Sequence, residues 1–214
     1  MMKKFLAFTL SEVLITVGVI GVVSALTIPN LVKNYHRQLY ATQLRKITSE
    51  LQQAYKNVLV QNNALNLKET RAFETNSAWK HTLSQYLDNA TMCDTPRKTD
   101  CLGTTAYEEL NGTAIEQLPF SGYPCIKLNS GAVICGDVEY YGTTHSLWID
   151  INGKQGPNIA CMDLFRVKAD PKGKIEPSLD FMVGHATLGV VKLDTCYSKI
   201  IQDGWKIDYS LSAN

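Results

Sequence analysis

The chain has 214 residues, with 21 Lys and Arg against 20 Asp and Glu, which gives a formal net charge of +1. This balance provides no overall attraction for nucleic acid or for acidic partners. Hydrophobic residues make up 45% of the chain, an ordinary value for a protein with a buried core.

The N-terminus carries a long apolar run with a single charge in it. Between Phe5 and Ile28 the only charged residue is Glu12. A helix needs about 20 apolar residues to cross a bilayer, so residues 8–28 are predicted to span a membrane. A cleaved secretory signal and a buried core helix are the alternatives. The helical pattern continues past Pro29, which argues against a cleaved signal.

An amphipathic pattern follows, over residues 30–61. Apolar residues recur at spacings of three and four, which forms one stripe on a helix: Leu44, Ile47, Leu51, Ala54, Tyr55 and Val58. The stripe is expected to pack on the chain's own domain, and binding of a partner is the alternative. Pro29 lacks a backbone donor and is predicted to kink the helix near Thr27 and Ile28. Asn62 and Asn63 are predicted to end it.

A second, shorter helix is predicted from Ser77 to Leu87. Apolar residues lie there at intervals of four, and Asn76 or Ser77 is expected to cap the helix. The stretch from Asn89 to Asp100 is rich in turn-forming residues and is read as a loop.

Six cysteines all lie in the second half of the chain: Cys93, Cys101, Cys125, Cys135, Cys161 and Cys196. There is no CxxC motif and no Cys/His pair with zinc-like spacing, so disulfide bonds are favoured over metal binding. Disulfides persist mainly outside the cytoplasm.

The orientation of the span rests on these cysteines. Lys3 and Lys4 favour a cytoplasmic N-terminus, but four basic residues also follow the span, so charge counting does not decide. The cysteines require the oxidising side, so residues 62–214 are expected to form an exported globular domain.

The local sequence around the cysteines suggests which of them pair in disulfide bonds. Cys93 and Cys101 bracket the polar loop. Cys125 and Cys135 flank a symmetric segment with a turn at Asn129-Ser130-Gly131, which is typical of a hairpin. Cys161 and Cys196 remain as a long-range pair. This connectivity is one among the fifteen that six cysteines allow.

Short strands and turns fill the rest of the chain. Residues 146–151 alternate as a half-buried strand should, with Asn152-Gly153 as a turn. Met162 to Val167 is predicted as a strand, followed by a turn at residues 170–173. Thr195 to Ile201 is predicted to form a final hairpin with residues 205–209, which places Trp205, Ile207 and Tyr209 on one face. The order of patterns predicts an α+β fold, with a long N-terminal helix packed on an antiparallel sheet.

One polar cluster has ligand-like chemistry. Asp150, Asn152 and Asp163, with carbonyl groups of a Gly-rich turn, offer hard oxygen ligands for calcium. The alternative is an Asx turn that needs no ion. No other cofactor is indicated. The four histidines are scattered and no catalytic motif is present, so the chain is not expected to be an enzyme.

The first residues also carry a family resemblance. Lys3-Lys4-Phe5-Leu6-Ala7, followed by Phe8-Thr9-Leu10-Ser11-Glu12, resembles the start of type IV prepilins, the family that includes the pseudopilins of type II secretion and competence systems. Ala7 replaces the usual glycine, and Ser11 and Thr16 stand where the family prefers apolar residues. With Phe8 as the first mature residue, Gly21 and Pro29 fall where the family's glycine and helix-kinking proline usually lie. The resemblance covers about the first thirty residues.

The resemblance implies a maturation pathway. Residues 1–7 would be a leader that a prepilin peptidase of the inner membrane cuts off between Ala7 and Phe8, before methylating the new amino group of Phe8. The remaining helix would anchor the subunit in the inner membrane, with its domain in the periplasm, until it joins other subunits in a filament. Some pseudopilins of this family have a calcium site in a comparable late loop.

Glu12 then has two compatible interpretations. The pattern Thr9-Leu10-Ser11-Glu12 predicts a capping box at a helix start. The resemblance implies an assembly role, in which Glu12 pairs with the amino group of Phe8 in its own chain or in a neighbour.

Two function classes therefore stand open. The first is a structural subunit, namely a pilin, a minor pilin or a pseudopilin, of a type IV pilus or a type II secretion-type filament. The second is a membrane-anchored periplasmic or extracellular binding or adhesive domain. Cleavage after Ala7 separates the two.

Overall fold

The computed structural model describes residues 9–93, 100–103, 106–115, 120, 122–137, 144–178 and 193–208. Its longest element is α1 (Leu10–Gln61), a helix of 52 residues. Asn62 caps its C-terminus, where its side-chain amide donates to the carbonyl of Val58. This confirms the predicted end of the helix at the paired asparagines.

Two shorter helices accompany α1. A 3-10 turn at Leu67–Thr70 leads into α2 (Asn76–Tyr86), and α3 (Leu193–Gln202) follows near the end of the chain. The N-cap of α2 is Thr75, whose hydroxyl accepts from the backbone N–H of Ala78. The predicted caps Asn76 and Ser77 were wrong by one position or more, because a threonine hydroxyl reaches the free amide of the first turn from just outside the helix.

In the part of the chain that the structure describes, six strands form one antiparallel sheet. They are β1 (Thr91–Cys93), β2 (Cys125–Lys127), β3 (Val133–Asp137), β4 (His145–Asp150), β5 (Leu164–Ala169) and β6 (Ile175–Pro177). Their order in the sheet is their order in the chain, so each strand pairs with its sequence neighbour. The predicted hairpin is confirmed, with Cys125 opposite Cys135 and Gly131 in the turn at a positive φ of 94°. The strand predicted at residues 162–167 begins two residues later.

The three helices cover one face of the sheet. The predicted apolar stripe of α1 is buried from Tyr40 to Val58 and packs on Ile134, Leu147 and Phe165. Two glycines permit close approach on this face. A Cβ at Gly136 would lie 2.5 Å from the Trp79 ring, and a Cβ at Gly173 would lie 2.7 Å from Cβ of Tyr55. The long helix on an antiparallel sheet is the α+β arrangement expected from the sequence.

The other face of the sheet is also buried. A second cluster there joins sheet residues such as Val133, Trp148 and Leu164 to Tyr107 and Phe120 from the preceding loops. The prediction of a half-buried β4 was therefore wrong, since both Trp148 and Asp150 are enclosed. Alternation marks which residues share a face, but a covering loop can bury the second face as well.

The predicted final hairpin was also wrong. Residues 193–202 form α3, with Cys196, Tyr197 and Ile200 buried and Ile201 exposed. Spacings of three and four place the buried residues on one helical side, and an ion pair from Lys199 to Asp203 (2.8 Å) supports the last turn. Of the residues expected on one strand face, Ile207 is buried and Tyr209 lies outside the described residues.

Candidate assembly helix and buried polar cluster

The first half of α1 makes almost no contact with the other described residues. An 18-residue window in it has a mean hydropathy of 2.0 and no part of that window is buried. Large apolar side chains along it are exposed: Leu10, Val13, Leu14, Ile15, Val17, Val19, Ile20, Val22, Val23, Leu26 and Ile28. By length and composition this helix is able to span a membrane.

Glu12 takes part in a capping box at the start of α1. The backbone N–H of Thr9 donates to Glu12 Oε2 (2.9 Å), and the N–H of Glu12 donates to the Thr9 hydroxyl (3.3 Å). The Thr9 hydroxyl also contacts Glu12 Oε2 at 2.8 Å. The capping interpretation is therefore confirmed, and these contacts leave the carboxylate exposed at the end of the helix.

The structure also bears on the expected cleavage site and the expected kink near the N-terminus. Ala7 and Phe8, the expected cleavage site, lie outside the described residues. Pro29 lies inside α1, which continues through it as one helix. A Cβ placed on Gly21 would meet no atom within 4 Å, so packing among the described residues does not require glycine there. The kink at these two positions stays a prediction.

Three disulfide bonds join the pairs that the sequence suggested. They are Cys93–Cys101, Cys125–Cys135 and Cys161–Cys196. The first two lie in the cluster on the sheet face opposite the helices, and the third ties the loop before β5 to α3. No free cysteine is found in the described residues, which include all six.

Asp150 lies at the end of β4, where its carboxylate is enclosed. Oδ1 accepts from the backbone N–H groups of Asn152 (3.1 Å) and Gly153 (2.7 Å), and Oδ2 accepts from the Tyr107 hydroxyl. The bond to the N–H two residues ahead is an Asx turn. Gly153 has a positive φ of 57°, and a Cβ there would lie 2.5 Å from the Gly131 carbonyl oxygen.

Asp163 organises the neighbouring loop. Oδ2 accepts from the N–H of Asn158 (2.7 Å) and from Nδ2 of Asn152 (3.2 Å). Oδ1 accepts from the N–H of Ile159 (2.6 Å). The structure thus brings the three predicted residues together, with Asn152 between the two carboxylates.

Burial perturbs the acids of this cluster. It raises the pKa of Asp150 to about 7, against the hydrogen bonds from Tyr107, Gly153 and Asn152 that lower it. Burial also raises the pKa of Asp163, against its hydrogen bonds from Asn158, Ile159 and Asn152. The pKa of Tyr107 is raised by burial and by the negative charge of Asp150.

These contacts fit an Asx turn better than a calcium site. Calcium takes six to eight oxygen ligands, and its carboxylate ligands must point lone pairs at the ion. Here every carboxylate oxygen already accepts a hydrogen bond from the chain, and of the three predicted ligands only Asn152 has a buried oxygen, Oδ1, without a donor. Among the described residues no group of three or more His, Cys, Asp or Glu is placed to hold a metal.

A second buried polar group connects the helices to the sheet. The indole N–H of Trp79 donates to the Tyr55 hydroxyl (2.8 Å), which lies 3.0 Å from Nδ1 of His145. Burial lowers the pKa of His145 to about 3, so the ring is neutral. Its Nδ1 shares a hydrogen bond with the Tyr55 hydroxyl, and the tautomer sets which atom donates. Sequence reasoning missed His145 and Tyr107. In the sequence each of these two residues stands as a single polar or aromatic residue near a predicted strand. That pattern does not identify a hydrogen-bond partner far away in the chain.

No family model, no curated protein and no solved structure matches this chain.

Proposed function

We propose that this protein is a structural subunit, a pilin, minor pilin or pseudopilin, of a filament of the type IV pilus or type II secretion kind. The observation that carries the proposal is the division of α1. Its second half is buried on the sheet, while its first half is a bare apolar helix. Such a helix needs a cover that the subunit lacks, either lipid or other copies of the same helix.

In this proposal the leader of residues 1–7 is removed by a prepilin peptidase, and the amino group of Phe8 is methylated. The N-terminus begins on the cytoplasmic side of the inner membrane and the globular domain lies in the periplasm. The disulfides support this direction, because they belong to the domain and persist in an oxidising compartment.

Glu12 has a defined part in each state. Before assembly its carboxylate caps α1 through Thr9. In a filament, where water is largely excluded, an ammonium on Phe8 needs an opposite charge close by. Glu12 supplies that charge and sets the position of one subunit along the next.

Two glycines in the bare half of α1 support the same proposal. A Cβ added to Gly18 or to Gly21 would meet no atom within 4 Å, so neither glycine is needed for packing in the subunit. Glycine inside a helix costs roughly 0.8–1 kcal/mol relative to alanine. Close packing between helices of neighbouring subunits offsets that cost, because small residues let helices approach.

The alternative of an anchored binding or adhesive domain rests on one groove. A groove of about 600 Å³ lies between α1, the end of α2 and the β2–β3 turn. Its lining is mainly polar and includes Gln53, Asn57, Asn89 and Asn129. Side-chain amides of this kind suit hydrogen bonding to a polar ligand.

Intact-mass measurement of the membrane-extracted protein tests the proposal. In cells with an active prepilin peptidase we expect residues 8–214 with one added methyl group. An Ala7→Leu variant, with a bulkier side chain at the cleavage position, is the control and should keep the full chain mass. A full-length mass for the natural sequence beside the active peptidase would contradict the proposal and favour the anchored domain.

A further inference from the structure

We infer that the segment of α1 just outside the membrane binds anionic lipid headgroups through Lys33 and Arg37. This inference rests on the proposed function, since it requires that residues 8–28 lie in a bilayer. It assigns a ligand to the membrane-resident state of the subunit, before assembly into a filament.

Four basic residues follow the apolar span, and the structure separates them into two pairs. The pair farther along α1 has partners in the domain. Arg45 lies over the ring of Trp205, with Cζ 5.5 Å from its centroid, and Lys46 pairs with Glu50 at 3.7 Å. The pair nearer the membrane differs. Among the described residues, Lys33 and Arg37 have no hydrogen bond, ion pair or aromatic partner.

Arg37 is enclosed without being satisfied. Its side chain is half-buried below the first turn of α1 that packs on the domain, and its Nε is buried with no hydrogen-bond partner. A guanidinium is always charged, so a buried N–H without an acceptor is costly. The rest of the half-buried side chain is open in part, and a phosphate oxygen suits the planar fork of the arginine head group.

Lys33 and Arg37 lie on one face of α1, because residues four apart are neighbours on a helix. Two like charges in that relation repel each other. An anion between them removes the repulsion. No acidic residue occurs in α1 between Glu12 and Glu50, so the helix itself does not provide the counter-charge.

Lys33 lies at the outer edge of the headgroup layer, and Arg37 lies one helical turn above it. With a rise of about 1.5 Å per residue, Lys33 lies about 7.5 Å and Arg37 about 13.5 Å beyond Ile28. The headgroup region extends roughly 5–8 Å from the hydrocarbon edge. Side chains on a helix lean toward its N-terminus, which here is toward the membrane. This lean brings the charged end of each side chain closer to the lipid phosphates than its Cα.

The ligand chemistry is a phosphate-bearing anion, and we assign it to a lipid headgroup because the bilayer holds that group beside the helix. The full chain is reconstituted in vesicles of equal parts phosphatidylcholine and phosphatidylglycerol and extracted in mild detergent. Retained lipids are then counted by native mass spectrometry. We expect the chain to retain more phosphatidylglycerol than phosphatidylcholine. The ratio of the two retained lipids should fall about fivefold for each charge removed.

The test variant is Lys33→Gln with Arg37→Gln. The control is Lys56→Gln with Lys68→Gln, which removes the same charge from exposed sites on the domain. The control should keep the excess of phosphatidylglycerol. Equal loss in both variants, or no excess in the natural sequence, would overturn the inference while leaving membrane anchoring intact. Failure of the chain to float with vesicles would overturn both proposals.

Inorganic phosphate added to the extract separates the two sources of phosphate. We expect the lipid excess to survive, because free phosphate is not held beside the helix. Complete displacement of phosphatidylglycerol by inorganic phosphate would overturn the assignment to a lipid headgroup.

Discussion

The indole nitrogen of Trp79 donates a hydrogen bond of 2.8 Å to the hydroxyl of Tyr55, so α2 is tied to α1 through a buried polar contact. The same hydroxyl lies 3.0 Å from His145 on β4. Tyr55 and Trp79 are completely buried, and His145 is nearly so. Three elements that the chain brings together from distant positions therefore share one hydroxyl group.

Replacing Tyr55 by phenylalanine should destabilise the fold. Tyr55→Phe keeps the ring but leaves the Trp79 N–H and His145 Nδ1 buried without partners. Unsatisfied buried groups cost about 1–3 kcal/mol each, so for two groups we expect a loss of about 2–6 kcal/mol in the free energy of unfolding. Denaturant unfolding of the full chain in detergent measures it. Tyr35→Phe, at a side chain that is 62% exposed, is the control and should change little.

His145 should make the fold sensitive to acid. Burial lowers its pKa from 6.5 to about 3, so between these values the unfolded chain binds more protons than the folded one. Stability is therefore lost as the pH falls from about 6.5 toward 3, by roughly 1.4 kcal/mol per pH unit. His145→Gln should remove this dependence, whereas His81→Gln on the exposed side of α2 should retain it. Parallel acid slopes in all three proteins would contradict the prediction.

Asp150 should make the fold less stable as the pH rises, which is the opposite of the effect of His145. Its pKa is raised from 3.8 to about 7 by burial, so the folded chain binds more protons between these values. Its contribution lowers the free energy of unfolding as the pH rises from about 4 to 7. Asp150→Asn should therefore gain stability relative to the natural sequence as the pH increases across that range. Unfolding free energies at several pH values measure the difference, and Asp88→Asn, an exposed site, is the control.

Calcium should have little effect on the domain. The carboxylates of Asp150 and Asp163 already accept hydrogen bonds from the chain. We therefore expect the same melting temperature with a calcium chelator and with added calcium. A bound ion would instead raise the melting temperature by mass action. A chelator-sensitive melting temperature that Asp163→Asn makes insensitive would restore the calcium interpretation.

Two substitutions at Glu12 separate capping from assembly. Glutamine retains the capping box, since Glu and Gln both serve at that position, but it removes the charge. Alanine removes both. If pairing with the amino group of Phe8 drives assembly, Glu12→Gln and Glu12→Ala should both strongly reduce the yield of sheared filaments, with processed protein still present in the membrane. Normal filament yield from Glu12→Gln would assign the residue to capping alone.

Local patterns in the sequence predicted the local parts of the fold. The segment between Cys125 and Cys135 contains its own turn, so its hairpin and disulfide follow from short-range geometry. The stripe on α1 was equally clear, because spacing on a helix is fixed. The prediction for the tail was wrong because apolar and polar residues around Tyr197 fit an alternation as well as a helical spacing. Packing on β5 and β6 selects the helix.

The members of the polar cluster were predicted, and the Asx turn found at Asp150 was the stated alternative to calcium. Asp150, Asn152 and Asp163 belong to neighbouring loops, so their proximity was accessible from strand order. The bond from Tyr107 to Asp150 was not accessible in this way, because Tyr107 lies 43 residues away in the chain. Burial of Trp148 has the same origin, since the loops that cover it precede the strand that carries it.

The single long helix also determines how the chain responds to mechanical load. A pull on the N-terminal end of α1 runs along its axis into the stripe between Tyr40 and Val58, which extends over about 27 Å. Such a force acts parallel to the sheet face, so the side chains of the stripe are sheared together rather than peeled away one by one. The close contact of Gly173 with Tyr55 lies inside this stretch and resists sliding of the helix past the β5–β6 turn. Tension is thereby shared among many small contacts, so the weakest contact does not set the force at which the helix separates from the sheet.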